Sequence, residues 1–123
     1  MTNTKSVETS PFKKLGQLLG LTYDGGDDNR LFAETIFTNS KDLTKTKYNE
    51  MENDVNNFEV KGDGFVVYAW IDDSGFEYWT KLQEEDNYIQ ITMEVSDPLN
   101  IDLRQAEIAI VKATDHFKKW ERK

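Results

Sequence analysis

The sequence predicts an α+β fold: an antiparallel β-meander of three to four strands, a long C-terminal helix packed on one face, and one or two N-terminal helices. Three observations lead there. Apolar residues recur at helical spacing towards both ends of the chain. Between about residues 65 and 95 the spacing changes to two. Pairs rich in Gly, Asp and Asn punctuate that central region as turns do.

Residues 1–9 are polar and read as a flexible tail before a single domain over 10–123. Ser10-Pro11 has the form of an N-cap followed by proline at the first helical position, where its missing N–H costs nothing. Phe12, Leu15, Leu18 and Leu19 then make one apolar stripe, and Gly20 is a suitable stop, so a helix is expected over 11–19. Tyr23 to Asn29 is a loop by composition. Leu31 to Thr38 fits a strand by alternation and a helical turn by its short apolar clusters. Asp42 can cap a helix running to about Asn56, in which Tyr48, Met51, Val55 and Phe58 follow the 3,4,3 spacing of a buried stripe.

Phe65 to Ile71 is the strongest strand signal, being β-branched and aromatic throughout apart from Ala69. Asp72-Asp73-Ser74-Gly75 reads as a turn and Phe76 to Leu82 as the returning strand, with Ile71 across from Phe76 and Ala69 across from Tyr78. Glu84-Glu85-Asp86-Asn87 is the next turn. In the strand that follows, Ile89, Ile91, Met93 and Val95 alternate with Gln90, Thr92 and Glu94. A short strand ahead of Gly62-Asp63 would set Val60 opposite Phe65 and Phe58 opposite Val67. A meander also places the Gly62-Asp63 and Glu84-Glu85-Asp86 turns at one end of the sheet. Asp97-Pro98 closes this region. Asp102 and Gln105 have capping-box spacing, and Leu103, Ala106, Ile110, Ala113, Phe117 and Trp120 repeat at 3,4,3,4,3 along the last helix.

Charge placement carries most of the functional information. The chain has 123 residues and a net charge of −8. Nine acids and one base (Lys81) lie between Asp63 and Asp97, so the whole net charge falls in the sheet region, while the rest of the chain is neutral overall. A surface of that sign lacks the lysines and arginines that bind phosphates, so direct nucleic-acid binding through it is not expected. A basic protein surface is the matching partner. There is no cysteine, which removes disulfides, thiolate metal sites and cysteine nucleophiles from consideration. No run of residues is long and apolar enough for a membrane span, and a cytoplasmic protein is expected.

Motifs for chemistry are missing, and no catalytic residue, cofactor site or metal site is expected. His116, the one histidine, has neither a nucleophile nor a second base nearby in sequence. Asp24, Asp27 and Asp28 lack the spacing and the closing glutamate of a calcium loop. Gly25-Gly26 has no phosphate-loop lysine behind it. The paired acids Asp72-Asp73 and Glu84-Glu85 read as solvated turn residues.

The second face of the sheet stands out. Opposite the core side lie Val66, Tyr68, Trp70, Glu77, Trp79 and Lys81, with Tyr68 across from Trp79 and Trp70 across from Glu77 in the expected register. Either the N-terminal helices cover these aromatics and make three layers, or part of the cluster is exposed. Exposed aromatics ringed by acids resemble a protein-binding hot spot. The expected partner-binding set is Asp63, Tyr68, Trp70, Asp72, Asp73, Glu77, Trp79, Glu84, Glu85 and Asp86.

In size, charge and layout the chain is similar to small acidic inhibitors of phages and mobile elements, such as anti-CRISPR proteins, and to toxin-immunity proteins. It is also similar to acidic secretion chaperones. The similarity spans the chain loosely and transfers no functional residue. It implies a non-enzymatic inhibitor that occludes the nucleic-acid-binding surface of a basic partner, such as a nuclease effector or toxin. The alternative is a chaperone or assembly component of a secretion, conjugation or phage system, which would expose an apolar groove or form a homodimer, for example through the C-terminal helix. A small carboxylate-dependent enzyme is the third reading.

Overall fold

Two nine-residue strands, β2 (Arg30–Thr38) and β5 (Asn87–Val95), lie side by side in the sheet. The computed structural model describes residues 10–23, 29–38, 43–71 and 87–121. In chain order the other elements are α1 (Pro11–Leu19), β1 (Thr22–Tyr23), α2 (Lys45–Asn57), β3 (Glu59–Gly62), β4 (Phe65–Ile71), α3 (Leu103–Phe117) and a 3₁₀ turn (Lys118–Trp120). The sheet is antiparallel, with order β1-β2-β5-β4-β3. The α+β class, both N-terminal helices and the long C-terminal helix on the sheet are as expected. Among the described residues the sheet has five strands instead of three to four, and their order is not that of a simple meander.

The difference lies in the neighbour of β4. Residues 76–82, expected as the returning strand, lie outside the described residues. Instead β5 pairs with β4 along its full length, setting Val67 against Met93, Ala69 against Ile91 and Ile71 against Ile89. On the other side β3 pairs with Phe65 to Tyr68. Tyr68 is therefore opposite Thr92 and Glu59, and Trp70 is opposite Gln90; Trp79 and Glu77, expected across from them, lie outside the described residues. The physical reason is the long apolar alternation of β5: Ile89, Ile91, Met93 and Val95 are all fully buried, so the central place buries them best.

Leu31 to Thr38 is a strand, with Ala33 as the extra residue of a bulge between Phe32 and Glu34. The β3–β4 hairpin pairs Val60 with Val67 and Gly62 with Phe65, two residues from the expected register. Gly64, at φ 84°, takes the left-handed position of the Asp63-Gly64 turn, which replaces the expected Gly62-Asp63 turn. A two-residue slip keeps Val60 on the same face, so the error in register did not alter the layer.

Caps fit the sequence in part. Gly20 ends α1 at φ 73°, while the Ser10 side chain makes no capping bond. Thr44 caps α2, its Oγ1 accepting from Lys47 N–H at 3.1 Å; Asp42 lies outside the described residues. Asp102 caps α3, with Oδ1 accepting from Gln105 N–H at 3.1 Å. The Gln105 side chain does not close the box. Its Oε1 accepts from Asp63 N–H at 3.3 Å and ties α3 to the β3–β4 turn.

One face of the sheet holds the core. Phe65, Val67, Ala69, Ile89, Ile91, Met93 and Val95 join Leu15 of α1, Tyr48, Met51 and Val55 of α2, and Ala106, Ala109, Ala113 and Phe117 of α3 in one buried cluster. All three helices thus share this face. In α3, the small residues Ala106, Ala109 and Ala113 bring the helix close to the strands. Ile110 is only half-buried and Leu103 is exposed, so the buried stripe is displaced towards Ala109.

Candidate docking face

Cross-strand partners share a face, so the register defines the opposite side of the sheet residue by residue. Val66, Tyr68 and Trp70 of β4, Tyr88, Gln90, Thr92 and Glu94 of β5, and Phe32, Thr35 and Phe37 of β2 stand there together. None of the described helices packs on this face, which rules out N-terminal helices covering Tyr68 and Trp70. Both residues are half-buried.

Three rings form a row across three strands. Trp70 meets Tyr88 edge to face at 6.3 Å between centroids, and Tyr88 meets Phe37 edge to face at 6.2 Å. Such pairs favour edge contacts because the ring edge is positive and its face negative. Phe37 is 39% exposed, an uncommon state for a phenylalanine on a strand. Beneath the row runs a satisfied polar network. Trp70 Nε1 donates to Thr92 Oγ1 at 2.9 Å, Thr35 Oγ1 donates to Gln90 Oε1 at 2.9 Å, and Gln90 Nε2 donates to the Glu34 carbonyl at 3.0 Å. Thr92 and Gln90 are buried, so these bonds remove the cost of burying them and hold the Trp70 ring in place.

The row stands at a particular end of the sheet. Ile71 pairs with Ile89 there, so the chain leaves into segment 72–86 and returns at Asn87 beside it. That segment carries six acids and one base in sequence. Asp63, by contrast, is exposed on the β3–β4 turn at the opposite end, where Phe65 pairs with Val95. β4 ends at Ile71 and β5 begins at Asn87 at the end of the sheet away from Asp63; the Glu84-Glu85-Asp86 turn, expected to share an end with Gly62-Asp63, lies outside the described residues. Asp72, Asp73, Glu77, Trp79, Glu84, Glu85 and Asp86 lie outside the described residues.

A second cluster was not legible in the sequence. Asp54 of α2, His116 of α3 and Trp120 of the 3₁₀ turn converge. His116 Nε2 lies 2.7 Å from Asp54 Oδ1, Trp120 Nε1 donates to Oδ2 at 3.0 Å, and Lys119 Nζ is 3.1 Å from Oδ2. Phe58 stacks on the imidazole at 4.5 Å. Burial pushes the Asp54 carboxyl up, but hydrogen bonds from Trp120, His116 and Lys119, with the His116 charge, outweigh it and hold the carboxyl below the ordinary aspartate value. Among the described residues no hydroxyl bonds to His116, and the group acts as a clamp between α2 and α3. The sole sequence signal was the place of Asp54 and His116 beside the core positions Val55 and Phe117.

Carboxylate chemistry needs two carboxyl groups in unlike environments, and open depressions among the described residues are where they would meet. One, of about 520 Å³, lies by the β3–β4 hairpin and includes Lys61 and Glu94. The other, of about 400 Å³, lies between the end of α2 and β4 and includes Glu59. Neither gathers two carboxylates in unlike environments. No described helix is long and apolar enough to cross a membrane. No family model matches the chain, and neither a curated protein nor a solved structure matches it.

Proposed function

We propose that this chain is a protein-binding domain that sets the aromatic row of the sheet face on which no described helix packs against a basic surface of another protein and occludes it. The observation carrying this reading is the Trp70–Tyr88–Phe37 row, placed where the chain departs into its most acidic segment. The rings supply the desolvated anchor. The acids of 72–86 supply attraction to lysines and arginines that would otherwise hold phosphates, speeding association and rejecting acidic partners. A nuclease effector or a toxin has such a surface, and blocking it inhibits without chemistry.

Affinity capture from an extract of the source organism tests this. The wild-type chain is compared with Phe37→Glu, which alters the exposed ring, and with Glu50→Lys on α2 as a control. A protein of basic isoelectric point should be enriched by wild type and by Glu50→Lys and lost with Phe37→Glu. Equal recovery of every basic protein by wild type and Phe37→Glu would count against the docking face.

A further inference from the structure

β3 stands last in the sheet order, and among the described residues nothing pairs with its outer edge. Alternate residues of an antiparallel strand turn their backbone groups to opposite neighbours. Gly62 and Phe65 pair across the two-residue turn Asp63-Gly64, so Gly62 and Val60 bond to β4. Glu59 and Lys61 therefore direct their N–H and C=O groups outwards. Their side chains stand together on the face that carries Tyr68 and Val66. Glu59 is 52% and Lys61 75% exposed, with Lys61 Nζ 3.4 Å from Glu59 Oε1. An uncovered edge of this kind is a template for another strand.

We propose that this edge pairs antiparallel with the same edge of a second copy of the chain, about a two-fold axis through Val60. That axis sets Val60 against the second copy's Val60, and Glu59 against its Lys61 on either side. The residues that meet are the two whose backbone groups point outwards. Each Glu59–Lys61 pair therefore exchanges both N–H···O bonds, and Val60 takes the non-bonded place between them. The side-chain charges then alternate round a square, each lysine beside the glutamate of its own strand and opposite that of the other. A shift of two residues either way sets Glu59 against Glu59 or Lys61 against Lys61, and a shift of one puts opposed side chains on different faces, so one register is selected. An unrelated strand has no reason to carry that order, whereas a second copy supplies it by symmetry. The edge is also neutral in a chain of net charge −8, so the contact itself adds no like-charge repulsion.

So short a strand pair falls below the roughly 1,000 Å² of a stable interface, so the dimer is reversible, with a Kd between about 10 μM and 1 mM. A two-fold axis perpendicular to the sheet joins the two sheets into one and keeps their faces in common. The helices of both copies then lie on one side, and both aromatic rows lie on the other. The dimer presents two rows on a single surface, and the proposal stands independently of what those rows bind.

Sedimentation equilibrium of the purified chain from about 10 μM to 1 mM, at about 0.15 M salt to screen the net charge, reads the association directly. Wild type should dimerise with rising concentration. Glu59→Lys and Lys61→Glu each set like charges against each other at two places, and each should weaken the dimer about tenfold without changing the melting temperature. An equimolar mixture of those two variants should associate more tightly than either alone, since every lysine then faces a glutamate. Amide hydrogen exchange followed by NMR reads the pairing itself: the Glu59 and Lys61 amides of wild type should slow at least about twofold at 1 mM, while Val60 and Gly62, already bonded to β4, should not change. The proposal is overturned by a monomer at every concentration. It is equally overturned by a dimer whose Glu59 and Lys61 amides exchange as in the monomer, or by a mixture that behaves as the average of its components.

Discussion

Removing the Asp54 carboxylate should loosen the fold between α2 and α3. The Asp54 side chain is 20% exposed and accepts from Trp120 and His116, with Lys119 close by. Hydrogen bonds to a charged acceptor are worth about 1.5–3 kcal/mol each, and truncating the acceptor also strands its donors. The Lys119 contact adds at most about 1 kcal/mol, because that side chain is largely in water. These contributions share one carboxylate and do not add fully, so Asp54→Ala should cost about 3–4 kcal/mol. For a chain of this length the melting temperature should fall by about 10–15 °C. Urea unfolding followed by circular dichroism measures the loss, and a cycle with His116→Ala isolates the pair. The sign with pH is fixed by the lowered pKa. As pH falls, the unfolded chain takes up the proton first, so the stabilisation is complete above the unfolded value near 3.8 and is lost as pH falls through the folded value. The gap between wild type and Asp54→Asn should accordingly shrink below about pH 4. A loss under about 0.5 kcal/mol for Asp54→Ala, or a gap that widens in acid, would refute the clamp.

Two further outcomes follow from the layers. Ala113 is fully buried where α3 meets the sheet, so Ala113→Leu should overpack the contact and cost about 1–3 kcal/mol in the same urea assay. His116→Ala should lower stability through the clamp yet leave partner affinity within about twofold in a titration, because His116 lies on the helix side of the sheet, away from the aromatic row.

Parity was the legible part of this fold. Alternation alone assigned Phe65, Val67, Ala69, Ile89, Ile91 and Met93 to the core face, and it did so whichever strand lay alongside, because an even shift in register preserves the face. The same property hid the neighbour: residues 76–82 and 88–95 both alternate, and local pattern does not tell which one pairs with β4. The choice rests on how much apolar surface the whole sheet buries. β2 was ambiguous because its bulge at Ala33 interrupts the period of two. The helix layer was hidden too, since an apolar stripe shows that a helix packs but not on which side. Of the candidate site, Tyr68 and Trp70 were visible as aromatics on the second face. Tyr88 and Phe37 were missed because their contact depends on β2 and β5 being neighbours. Asp54 and His116 lie 62 residues apart and meet only once two helices dock side by side.

The most direct test of the docking account is the salt dependence of partner affinity when Glu84→Lys, Glu85→Lys and Asp86→Lys are combined. Calorimetric titration of the captured basic partner would be run from about 50 mM to 500 mM salt, a range over which screening of exposed charges becomes nearly complete. The account predicts an affinity at least about tenfold weaker than wild type at the low end, a difference that narrows as salt rises, and an unchanged melting temperature. A triple variant that binds as tightly as wild type at low salt would contradict it.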